Sequence, residues 1–139
     1  MIDPARQRFS LSFVALESDV DALGHISNIA YVRWVQEVAT AHSEHVGFAH
    51  ADYTKLGAIF VVRRHDIEYL RSAFAGDPIT LHTHIESWRG ARCERHTRIE
   101  RGSEGVLLVK AVTEWAFVSG ATSRPTRIPV SLQQAFGFA

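Results

Sequence analysis

Two carboxylates, a glycine and an imidazole crowd the stretch Asp19-Val20-Asp21-Ala22-Leu23-Gly24-His25, and the polar pair Ser27 and Asn28 follows at once. A carboxylate can attack a carbonyl carbon or draw a proton from water, an imidazole can assist it, and a glycine lets the backbone turn tightly while a substrate comes close. This is equipment for chemistry on a carbonyl. The same residue types also form turns and cap helices, which by spacing alone is their commoner use.

The element that must position them comes next. Tyr31, Trp34, Val35, Val38, Ala39, His42 and Val46 recur at intervals of three and four, the spacing of one helical face. They predict a helix from about Ile29 to Val46, capped by Ser27 or Asn28, with Glu37 and Glu44 toward solvent and Gly47 as the stop. A helix start carries unpaired N–H groups and roughly half a positive charge, so a carbonyl oxygen placed there is stabilised as negative charge grows on it. Asp21 stands beside that spot as base or nucleophile.

The remaining elements frame this one. Phe9, Leu11 and Phe13 alternate with serines in a half-buried strand ending near Glu17. A polar stretch through Asp52 and Lys55 leads to a long strand from Ala58 to about Tyr69, closed by the turn Gly76-Asp77-Pro78. Ile79 to Glu86 alternates as a third strand, Arg89-Gly90-Ala91 turns it into a fourth reaching Arg101, and Gly102 to Gly105 makes the next hairpin. Val106 to Val118 is apolar on both sides, with Val109, Ala111, Thr113, Trp115 and Phe117 on one face and Leu108, Val112, Ala116 and Val118 on the other. Pro125 and Pro129 leave only a short terminal turn of helix from Val130.

Strand, long helix, then four hairpin-linked strands is an α+β layout in which one antiparallel sheet wraps a single helix. A lone helix covers one side of such a sheet, so a second copy is expected to bury an edge or the other side: a homo-oligomer.

Composition removes several classes of function. With 139 residues and neither repeats nor linkers, residues 1–139 read as one domain. Lys plus Arg and Asp plus Glu balance at 15 each, so no net field favours nucleic acid or an anionic membrane. No leader pattern opens the chain, and no apolar run approaches the roughly 18 residues of a membrane span, so a cytoplasmic protein is the expectation. The single Cys93 excludes an internal disulfide and reads as packing. Of 8 histidines only His82 and His84 share a strand face, and no finger-like spacing is present, so no metal is expected. There is no Gly-x-Ser-x-Gly elbow and no glycine-rich phosphate loop.

Over nearly its whole length the chain resembles the hot-dog-fold acyl-CoA thioesterases of the 4-hydroxybenzoyl-CoA thioesterase type. The motifs are the Asp-x-Asp-x-x-Gly run at Asp19, Asp21 and Gly24, the helix stretch Tyr31-Val32-Arg33-Trp34, and the later landmarks Ile67 to Arg71, Gly76-Asp77-Pro78 and Arg124 to Pro129.

The resemblance implies a hot-dog fold and hydrolysis of an acyl- or aroyl-CoA thioester, or one on acyl carrier protein, by a homodimer or tetramer without a cofactor. It makes Asp21 the carboxylate that attacks the carbonyl or activates water, gives Asp19 a loop-holding role, and places the backbone N–H of Asn28 where the thioester oxygen is polarised. Gly24 joins Asn28 as a substrate-binding residue.

His25 is similar to the catalytic histidine of the Gln-His-Val-Asn-Asn run of acyl-acyl-carrier-protein thioesterases, although Leu23 stands where that pattern has asparagine. It is a partner for the carboxylate, a hydrogen bond to substrate, or a residue that orders the loop. His65, on the long strand after the helix, is a further substrate-binding candidate that could reach a site across a dimer interface.

Two rival readings share these residues. A hydratase or dehydratase on the same fold would use His25 with Asp21, and a non-catalytic acyl-CoA-binding module would bind acyl-CoA without turning it over.

Overall fold

The computed structural model describes residues 2–139. In chain order the elements are α1 (Pro4–Gln7), β1 (Arg8–Val14), a 3-10 turn (Glu17–Asp19), α2 (Asn28–His45), α3 (His50–Leu56), β2 (Ala58–Tyr69), β3 (Pro78–Arg89), β4 (Arg92–Arg101), β5 (Val106–Ser119) and α4 (Val130–Ala135). The five strands form one antiparallel sheet in the order β1-β3-β4-β5-β2, wrapped against α2. This is the hot-dog layout that the resemblance implies, one antiparallel sheet around a single long helix.

The long helix forms for the reason its spacing suggested. Ala30, Tyr31, Trp34, Val35, Val38, Ala39, His42 and Ser43 are buried along one face. Of these, Ala30, Tyr31, Trp34, Val35 and Val38 pack with Ile79, Leu81, Ile99, Val109 and Ala111 from the inner face of the sheet. Burying each large aliphatic side chain contributes about 1.5–3 kcal/mol, so this seam holds the start of α2 fixed against the sheet.

The strand connections differ from the expectation at one place. β2 and β3 are not a hairpin: β2 lies at the far edge beside β5, and β3 lies next to β1. Residues 70–77 make the crossing, held by the Leu70 N–H on the Leu108 carbonyl (2.7 Å) and by the Ile26 N–H on the Ala73 carbonyl (2.9 Å). The turn spans Phe74 to Asp77 and ends as Pro78 opens β3, but turn chemistry fixes where a strand starts or stops and not which neighbour it finds.

Other departures have local causes. β1 ends at Val14 because Ala15 bends away to exchange hydrogen bonds with Gly76 and Asp77. The polar stretch before β2 is helix α3, which buries only Tyr53 and so shows no apolar stripe. On β5 an extra residue between the pairs Ile99–Val109 and Glu100–Leu107 turns Leu108 inward beside Val109, against strict alternation. The outward side of β5 is not covered within the chain: Lys110 is exposed, and Val112 and Glu114 are partly so.

Beyond the middle of α2 the core becomes partly polar. His42, fully buried, donates from Nε2 to the Arg6 carbonyl (2.7 Å), which leaves Nδ1 to accept from Arg95 Nη1 (2.9 Å). Burial first, then the charge of Arg95, push its pKa down to about 4. Between that value and the ordinary 6.5 the unfolded chain binds the proton and the folded one does not, so stability rises with pH across this window. Thermal melts are expected to show full stability above about pH 6.5 and a loss approaching about 3 kcal/mol toward pH 4 from this group alone. His42→Gln, which has no proton to gain, should flatten that slope; an unchanged slope would assign it to other groups.

Candidate active site

The loop from β1 to α2 gives its two aspartates opposite environments. Asp19 is 6 % exposed. Its carboxylate accepts the Leu16 N–H (3.0 Å) and is bound by the Arg33 guanidinium from the second turn of α2, while its carbonyl accepts the Ser27 N–H (2.9 Å). With its oxygens committed to protein donors, Asp19 fastens the loop to the helix.

Asp21 instead projects outward at the head of a tight loop. Its N–H donates to the His25 carbonyl (2.9 Å), its carbonyl accepts the Gly24 N–H (3.1 Å), and its Oδ1 accepts the Leu23 N–H (2.8 Å). Among the described residues Oδ2 accepts no hydrogen bond. Gly24 holds φ +83°, a conformation costly for any residue with a side chain, and the space before it is open.

Helix α2 begins immediately afterwards. The Ser27 hydroxyl accepts the Ala30 N–H (3.1 Å), whereas the N–H groups of Asn28 and Ile29 have no acceptor within the helix. Among the described residues neither donates to another backbone group. Two free donors and the positive end of an 18-residue helix therefore sit beside the exposed carboxylate.

Asp21, His25 and Asn28 line one recess of about 540 Å³ with Ile29, Tyr69 and Arg71. His25 is half-buried, its ring edge-on to Phe74 at 5.2 Å between centroids. A wider groove of about 830 Å³ runs along the outward face of α2 from Asn28 to Glu44 and shares Asn28, Ile29 and Tyr69 with the recess.

Of the residues singled out from sequence, Asp21, Gly24, His25 and Asn28 come together here and His65 does not. His65 stands beside the middle of α2, with Nδ1 on Thr113 Oγ1 (2.9 Å) and Nε2 3.5 Å from Gln36, and burial lowers its pKa. It sits on β2, whose outer edge is unpaired. Tyr69 and Arg71 complete the recess, and spacing alone does not assign them to it. They belong to the landmark run Ile67 to Arg71, so the signal was present, but only the crossover after β2 carries it to the loop.

Serine or cysteine chemistry finds no support in the geometry. Cys93 is buried, and burial pushes its thiol up to about 12, far from a thiolate. Ligand-capable atoms of three residues come within 4.8 Å of one another at His84, Glu86 and His96, on the outward side of the sheet and away from Asp21. His84 stands opposite His96 across β3 and β4, a pairing that spacing along one strand does not reveal.

Comparison with known proteins places this geometry among relatives. The model of the thioesterase-like superfamily matches residues 16–136. The chain is 28% identical over 118 residues to the acyl-CoA thioester hydrolase YbgC of Escherichia coli O157:H7, covering 85% of this chain and 87% of that protein. It superposes on the DHNA-CoA thioesterase of Staphylococcus aureus with a TM-score of 0.83 at 22% identity, covering 93% of this chain and 88% of that one. A second Staphylococcus aureus protein, solved in complex with CoA, gives a TM-score of 0.86 at 17% identity, with 97% and 83% covered. The two structural likenesses show a shared fold.

Proposed function

We propose, because the chain belongs to the thioesterase-like superfamily, that it hydrolyses an acyl-CoA or aroyl-CoA thioester to the free acid and CoA. The observation that carries the reading is that the exposed Asp21 carboxylate, with only Oδ1 engaged, and the unsatisfied first turn of α2 line one recess.

A thioester carbonyl set in that recess would present its carbon to Asp21 and its oxygen to the Asn28 N–H. As Asp21 attacks, or as it takes a proton from an attacking water, negative charge moves onto the oxygen and the helix start stabilises it. The thiolate of CoA is a good leaving group, so a carboxylate and a fixed dipole suffice without a cofactor. Gly24 leaves room for the approach, and His25 supplies a hydrogen bond to the substrate or to the carboxylate.

The assembly we propose is a homodimer or a tetramer. The edge of β2 is unpaired, and His65 on it lines no part of its own Asp21 recess, which supports a role for His65 in a neighbouring copy's site. Among the described residues no helix is long and apolar enough to cross a membrane.

A thiol-release assay over short, long and aromatic saturated acyl-CoAs tests the reaction. Steady release of free thiol from at least one of them is expected. Release without a double bond in the substrate would also set aside a hydratase, whereas tight binding with no turnover across the panel would sink the hydrolase reading.

A further inference from the structure

Toward the end of α2 remote from Asn28 lies a partly open cavity of about 190 Å³, lined by Ser43 on α2, Tyr53 on α3, Phe60 on β2, Arg95 on β4, Trp115 on β5 and Phe136 after α4, and bordering the groove along α2 at Thr40 and Glu44. Glu44, His50 and the exposed Ile59 stand among its remaining lining residues. No residue of the Asp21 loop lines it.

The notable occupant of its wall is Arg95, only 4 % exposed. Its Nη1 donates to His42 Nδ1 (2.9 Å) and Thr83 Oγ1 (3.1 Å), and its central guanidinium carbon lies 5.7 Å from the centre of the Phe136 ring. Among the described residues Nη2 and Nε donate to nothing, and no carboxylate comes within ion-pair distance. A buried cation is costly unless it is paired.

The groups around it do not neutralise it. His42 is held uncharged at neutral pH, the Cys93 thiol is raised to about 12, and the Tyr53 phenol is raised by burial and shared with the Ser43 hydroxyl. Arg95 itself falls to about 10 through burial, still charged at neutral pH. Trp115, on the same wall, has its Nε1 buried without an acceptor, as does Trp88 elsewhere in the core.

The cavity therefore offers a positive charge and spare N–H donors within walls that are otherwise largely apolar. A ligand that answers both needs a negative, acceptor-only group on a compact apolar body. Guanidinium meets carboxylate through paired parallel hydrogen bonds, and a cavity of about 150 Å³ is known to admit one benzene ring. A nucleotide is too large, and a bare inorganic anion would leave the apolar walls unfilled.

We propose that this cavity is a binding site for a small aryl or short-chain aliphatic carboxylic acid, held with its carboxylate on Arg95 and its apolar body against Phe60 and Phe136.

The test is calorimetric titration of the purified protein with benzoate and hexanoate against their uncharged counterparts, benzamide and hexanamide. One saturable site is expected for an acid, at least tenfold tighter than for its amide, with the Trp115 indole N–H resonance shifting on binding. Arg95→Met is expected to abolish the preference of acid over amide. If that variant does not fold, the acid and amide comparison on the unaltered protein still decides. Equal affinity for acid and amide, or no saturable binding of either acid, overturns the proposal. The Asp21→Asn protein should bind the acid as tightly as the unaltered one; a change of affinity there in either direction would move the acid to the Asp21 recess and overturn it as well.

Discussion

Asp21→Asn is expected to lower thiol release from acyl-CoA by about a thousandfold while the protein folds normally. Asparagine keeps the size of the side chain and the oxygen that accepts the Leu23 N–H at 2.8 Å, so the loop geometry should survive. What it loses is the negative charge and the basic oxygen, which either version of the reaction requires. An exposed position outside the core predicts a stability change within about 0.5 kcal/mol. Steady-state kinetics and a thermal melt of the same preparation check both halves. Turnover at the unaltered rate would remove Asp21 from the mechanism. A parallel Asp19→Asn variant should show the reverse balance, losing stability through its buried contacts to Leu16 and Arg33.

The second large effect concerns a backbone group, which an ordinary side-chain change does not reach. Asn28 is the first residue of α2, the one helical position where proline fits, because its N–H has no partner in the helix. Ser27 before it holds φ −70° and ψ 150°, the conformation that a following proline demands. Asn28→Pro therefore deletes the N–H with little disturbance of the fold. Loss of one oxyanion donor is expected to cut kcat by about 100- to 1000-fold. Asn28→Ala keeps the N–H and should stay near the original rate. If the alanine variant is the slower of the two, the side chain and not the backbone meets the substrate.

Local pattern carried much of what the sequence revealed. The face of α2 could be read because Tyr31, Trp34, Val35 and Val38 repeat with the period of the helix that buries them. Asp21, Gly24, His25 and Asn28 lie within eight residues, so one short loop brings them together whatever the rest of the chain does.

What escaped depends on distant partners. The crossing from β2 to β3, and with it the arrival of Tyr69 and Arg71 at the recess, follows from sheet order, and no turn residue encodes that. Nothing local to Arg95 in the sequence distinguishes it from its neighbours Arg92 and Arg98, which are exposed. Its burial follows from the inward face of β4 and from His42, 53 residues earlier. Helix α3 stayed hidden because Tyr53 alone turns inward, and one residue makes no period.

The unpaired edge of β2 also bears on how far growth by addition can go. A bare strand of 12 residues is an invitation to add further strands without limit. Two identical edges that meet about a twofold axis consume each other, so the contact closes after one addition. The register shift between Val62 and Arg64 marks an irregularity in the middle of that edge, and an irregular edge accepts fewer foreign strands than a flat one. Of the sheet's two borders, the 7-residue β1 is the shorter template. The feature that leaves the sheet incomplete is thus also one that can make its assembly finite.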